Sequence, residues 1–147
     1  MSCWARRILV CCVMLLGWLP IGAAAGTAWV AQGTDGIERV GIWFFWSQRC
    51  PHCLDALPYV EELSAQHRWL EVHSLEITRH PEHAALYVRM AAELGEDARA
   101  VPAFLVCGRM LTGFDGPRGI GAEVLALARS CQSIGAAGVQ GGLPARP

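Results

Sequence analysis

Residues Arg39–Trp46 (RVGIWFFW) form a nearly continuous apolar, aromatic run, and four residues beyond it stands Cys50-Pro51-His52-Cys53. A run this short with no polar face suits a strand buried on both sides. Such a strand needs a layer of chain above and below it, which points to an α/β fold. The segments that follow supply those layers. From Cys50 to about Gln66, Leu54, Leu57, Val60 and Leu63 recur near helical spacing with charged residues between them. Trp69–Ile77 alternates imperfectly and reads as a strand. Pro81–Leu94 has proline at a first helical position and Gly95 just past its end, a helix with both signals in place. Ala103–Cys107 and Met110–Gly113 flank Gly108-Arg109 as a hairpin, and Gly119–Ser130 closes the domain with a helix. The order β-α-β-α-β-β-α makes the first two strands parallel and the last two antiparallel. A central mixed four-stranded sheet with helices on both faces is therefore expected.

The two ends have a different composition. Arg6 and Arg7 precede the apolar run Ile8–Leu19, then Pro20, Gly22 and Ala23-Ala24-Ala25. A basic start, a short apolar core and small residues at a cleavage position describe a secretory signal peptide over residues 1–25, or else an uncleaved anchor. Residues 26–36 read as a linker, 37–131 as the domain, and the Gly/Ala/Pro-rich 132–147 as a flexible tail. Localisation is then periplasmic or secreted, with membrane anchoring as the variant. Of the seven cysteines, Cys3, Cys11 and Cys12 belong to the leader, and Cys50, Cys53, Cys107 and Cys131 remain as an even set. Cys107 and Cys131 could pair or could stay buried thiols; spacing alone does not decide.

Composition removes several function classes. With 53% hydrophobic residues the chain is not disordered as a whole, and a net charge of −1 without a basic stripe gives no footprint for nucleic acid. All twelve basic residues are arginine, so Schiff-base and phosphate-loop lysine chemistry is excluded.

The strongest chemical signal is the cysteine pair. Cys50 falls at the N-cap of the first helix and Pro51 at its first position, where no N–H is needed. There the unpaired N–H groups and the positive helix end favour a thiolate at Cys50. His52 and Arg49 add positive charge nearby. Cys53, one turn along and deeper, is placed to resolve a mixed disulfide. Two other uses of the pair compete. One is a metal-binding or metal-delivery module with Cys50 and Cys53 as thiolate ligands, to which His80 and His83 could add. The other is a structural disulfide, which would stabilise little across so short a loop.

These residues resemble the thioredoxin superfamily over about Arg39–Cys131. Trp46 stands four residues before Cys50, Pro58 eight after it, and Val101-Pro102 lies where that family has a cis-proline beside its disulfide. Val101 through Gly108, with Thr112 to Asp115, looks like the glutaredoxin version of this half. The resemblance implies a thioredoxin-like fold and a thiol–disulfide oxidoreductase acting on protein thiols and disulfides. No cofactor is implied, and a membrane protein could serve as redox partner. Cys50 and Cys53 would be catalytic, Pro51 and His52 would tune the potential, and Trp46, Val101 and Pro102 would meet the substrate. The Pro51-His52 dipeptide is that of DsbA-type oxidants. Phe44 stands where thioredoxins carry a buried acid, leaving water, Glu38 or the substrate to take the proton of Cys53. Thr112 replaces one of two glycines that glutaredoxins use, which argues against a glutathione site. Asp115 could serve a bound peptide or cap a turn.

Overall fold

A computed structural model describes residues 29–140 of the chain, with side chains to Ser133. The expected leader and residues 141–147 of the expected tail lie outside the described residues. The elements run β1 (Val30–Gln32), β2 (Glu38–Trp46), α1 (Pro51–Gln66), β3 (Leu70–Glu76), α2 (Pro81–Glu93), β4 (Ala103–Val106), β5 (Arg109–Thr112) and α3 (Ile120–Gln140). The architecture is thioredoxin-like. β2 is central, pairing parallel with β3 on one side and antiparallel with β4 on the other, and β5 pairs antiparallel with β4.

The alternation hidden in the apolar run becomes visible in the packing. Val40, Ile42 and Phe44 point to one face, where they meet Ala56, Val60 and Leu63 of α1 and Val124 and Ala128 of α3. Phe45 points to the other, against Tyr87, Met90 and Ala91 of α2. Phe44 stacks on Phe104 at 4.8 Å and Phe45 on Tyr87 at 4.7 Å. Each fully buried aromatic of this size contributes about 1.5–3 kcal/mol of transfer free energy, so the strand that carries the site is firmly held.

The structure departs from the sequence expectation in three places. A fifth strand, β1, lies within the expected linker, pairing antiparallel with Glu38–Val40 of β2. The last helix runs past Ser130 to Gln140, into the stretch expected as tail. The hairpin turn is Cys107-Gly108 rather than Gly108-Arg109, with φ of 52° and 71°. Two successive left-handed residues suit the right-handed twist of a two-residue hairpin, and Gly108 takes one of them without a Cβ penalty. Of the two alternatives that spacing left open for Cys107 and Cys131, the disulfide is the one formed, with Cα atoms 5.6 Å apart, tying α3 to the hairpin. Asp115 accepts the Ile120 N–H at 2.6 Å, so it caps the start of α3. Among the described residues, no helix is long and apolar enough to cross a membrane.

Candidate active site

The chain leaves β2 at Trp46, crosses Ser47–Arg49 and enters α1 with Cys50 as N-cap and Pro51 as the first helical residue. The Cys50 carbonyl accepts the Cys53 and Leu54 N–H groups at 3.0 and 3.2 Å, so both cysteines share the first turn. Cys50 is half-buried and Cys53 fully buried beneath it; both are free thiols. The Cys50 side chain makes no cap hydrogen bond to the first turn. Its S–H donates instead to the Val101 carbonyl at 3.4 Å. A thiol has a hydrogen to place and the carbonyl receives it, which is why the expected contact with helix N–H groups is absent here.

The surroundings of Cys53 act strongly on its thiol. Burial, then a hydrogen bond to Cys50 and the charge of Cys50, push its thiol up to about 12, with the Ser47 backbone opposing them. The two sulfurs are thus unequal: one reaches solvent, and the other keeps its proton.

Val101-Pro102 joins the site from a distant part of the chain. The peptide between them is cis, Pro102 is buried and Val101 half-buried. Tyr87 donates its hydroxyl to the Ala100 carbonyl at 2.7 Å, and the Gly113 N–H donates to the Pro102 carbonyl at 2.8 Å. The segment facing Cys50 is therefore pinned on both sides. Pro51 and His52 are exposed beside the pair. Trp46 is half-buried against the core, with its indole Nε1 on the buried side.

Sequence reasoning missed the buried acid of this region. Glu76 ends β3 directly beside Trp46 in register and is 7% exposed. Its carboxylate accepts the N–H groups of Arg79 at 2.7 Å and Thr78 at 2.9 Å, and a longer one from Gln48 at 3.5 Å. Burial raises its pKa, but the hydrogen bonds from the Thr78 side chain and these backbones outweigh burial and bring it down to about 2. Ser47 Oγ and Thr78 Oγ1 are also bonded at 2.9 Å, so the active-site loop and the loop after β3 are stitched together. The available signal was parity: Glu76 is in phase with inward-facing Leu70.

Glu38 is too far away to serve Cys53. It starts the nine-residue β2 whose other end leads to the site, roughly 26 Å away at about 3.3 Å per residue. Phe44, at the position of the family's acid, is fully buried and stacked. His80 and His83 do not join the cysteines either; they gather with Glu82. His73 stacks on Trp43 at 4.8 Å, and His67 lies against Trp69 at the end of α1.

No family model matches the chain, and no curated protein does. Among solved structures the chain is similar to DsbF from MTB, determined in its mixed oxidized and reduced forms. That likeness has 17% identity and a TM-score of 0.42, covering 67% of this chain and 93% of the other.

Proposed function

We propose that the protein is a thiol–disulfide oxidoreductase of the periplasm or extracellular space, exchanging disulfides with protein substrates through Cys50 and Cys53. The observation that carries this reading is the asymmetric pair on one helical turn: a reachable Cys50 over a buried, proton-holding Cys53. A purely structural use of the pair would require neither the exposure of one sulfur nor the hydrogen bond between the two.

In the reducing direction the Cys50 thiolate attacks one sulfur of a substrate disulfide. A mixed disulfide forms and one substrate thiolate leaves. Cys53 then loses its proton to water and attacks Cys50 Sγ. The Cys50–Cys53 bond closes and the second substrate thiolate departs, so two electrons have passed to the substrate. The oxidising direction runs the same steps backwards from the closed disulfide. Val101, held against Cys50, offers its backbone for a short β-addition by an extended substrate segment. The N-terminal leader-like sequence and the Cys107–Cys131 disulfide support an oxidising compartment, where such bonds persist. A membrane-bound thiol protein would restore the pair between turnovers.

Trapping tests the proposal. Cys53→Ser should accumulate a mixed disulfide with a substrate protein, and Cys50→Ser should form none. If neither variant yields an adduct and the wild type leaves insulin or a model peptide disulfide untouched, the proposal is wrong. The reduction potential of the pair sets the direction: a value near roughly −270 mV marks a reductant and one near about −120 mV an oxidant.

A further inference from the structure

Among the described residues outside the cysteine pair, His80, Glu82 and His83 gather chemical donors at the start of α2, their ligand atoms all within 4.8 Å of one another. We propose that they form a three-ligand site for a divalent transition metal of the zinc class, independent of Cys50 and Cys53.

Two imidazoles and one carboxylate are the donor set of an open zinc site, with water completing the tetrahedron. Bonds of about 2.0–2.1 Å would place the donors roughly 3.4 Å apart. The present spread must therefore shrink by little more than about 1 Å. His80 and Glu82 are exposed, and their 3.0 Å contact, His80 Nδ1 to Glu82 Oε1, is a hydrogen bond whose proton a metal would displace. Pro81 between His80 and Glu82 sits at the first helical position and fixes the backbone there.

The second observation concerns His83. Its Nδ1 lies 2.9 Å from the Glu76 carbonyl. A carbonyl only accepts, so Nδ1 carries the hydrogen and, in the neutral ring, Nε2 keeps the lone pair. An imidazole fixed this way through its other nitrogen has the outer-shell partner and tautomer that metal-ligating histidines characteristically show. The rings of His80 and His83 lie close, 4.7 Å apart and tilted by 30°. The positive end of α2 opposes a cation there, and the Glu82 carboxylate offsets it. A readily exchanged metal follows, in contrast to the closed four-ligand sites that hold folds together. Glu76 connects this site to the redox loop, since its carbonyl holds His83 while its carboxylate holds Gln48.

The experiment uses the full chain with Cys50–Cys53 oxidised, so that thiolates cannot compete, and titrates it with Zn²⁺ by calorimetry and with Co²⁺ by visible absorption. One equivalent should bind, with d–d bands and no sulfur-to-cobalt charge transfer. His80→Ala and His83→Ala should each weaken binding at least about tenfold, as loss of a ligand or its support does. Glu82→Gln, which keeps a polar helix start, should weaken it less, and His73→Ala not at all. In the wild type, zinc should move the ring ¹⁵N signals of His80 and His83 and leave those of His52, His67 and His73 in place, a readout that needs no variant. Three results would each overturn the site: no saturable uptake by the oxidised chain, uptake indifferent to both histidine substitutions, or ring shifts confined to other histidines.

Discussion

Raising the pH of the reduced chain from about 7 to about 10 should leave the Cys53 thiol protonated, because its pKa is raised to about 12, chiefly by burial. At pH 8 a group titrating there is ionised to about one part in 10⁴, against about one in four for an ordinary cysteine of pKa about 8.5. Cys53 is thus poorer in thiolate by a factor of about 10³. Two of the causes, the hydrogen bond and the charge of Cys50, vanish once Cys50 is tied into a mixed disulfide; burial persists. Among the described residues, neither position considered for an acid stands ready to take the proton. Phe44 fills the place where an acid would stand, and Glu38 lies at the far end of β2.

The step that resolves the mixed disulfide should therefore depend on hydroxide, rising close to tenfold per pH unit between about pH 6 and 9. A single-turnover assay with a peptide disulfide, quenched in acid and separated by mass, reads this step apart from the first attack. ¹³Cβ shifts of labelled cysteine follow Cys53 directly. A Cys53 midpoint below about 10, or a resolution rate flat with pH, would refute the reasoning and require a general base that this geometry does not supply.

The Cys107–Cys131 disulfide closes a loop of 24 residues; chain-entropy arguments give it about 3–4 kcal/mol. The double variant Cys107→Ser/Cys131→Ser, compared at the same Cys50–Cys53 redox state, should melt at least about 10 °C lower; a drop of a degree or two would contradict that. Glu76→Gln keeps the shape but loses the charged acceptor, and should cost about 1–3 kcal/mol in denaturant unfolding. Amide exchange should accelerate at Gln48, Thr78 and Arg79, the N–H groups it holds, with distant β5 unaffected. The folded pKa of Glu76, about 2, lies below its ordinary 4.5. Its contribution is thus present above pH 4.5 and lost as pH falls through about 2. Urea titrations across that window should show an acid limb that is shallower in Glu76→Gln, and equal slopes in both proteins would count against the assignment.

What the sequence disclosed, it disclosed where the determining interactions are local. The Arg39–Trp46 run marks β2 because covering both faces of a strand removes polar residues from it. Pro51 marks the start of α1, and Pro81 that of α2, because only the first turn tolerates a missing N–H. β1 was invisible because three residues carry no period; the strand exists only through its pairing with Glu38–Val40. The hairpin turn shifted by one residue because φ is positive at Cys107, a residue that seldom adopts it. The disulfide was undecidable because it needs the distance between a turn and a helix, which no spacing encodes.

The site repeats that division within itself. Cys50 and Cys53 share one helical turn, so their relation is written in four consecutive residues. Their partners arrive from elsewhere because of topology. Parallel pairing of β2 with β3 brings the end of β3, with Glu76 and then His83, to the edge where β2 delivers Cys50. Antiparallel pairing of β4 brings its beginning to that same edge, Ala103 opposite Phe45, and Val101 with it. Three segments distant in sequence thus meet where the carboxyl ends of the parallel strands open, as in other open α/β sheets. A reader of the chain could place the cysteine pair but not Glu76, whose hydrogen bonds depend on a neighbouring strand arriving in register. A shift of β3 by one residue would turn Glu76 to the opposite face of the sheet and free Gln48, Thr78 and Arg79 together. The polar stitching of the loop before Cys50 is therefore a consequence of sheet register, and the buried aromatics of β2 that fix the register also position the Cys50 sulfur.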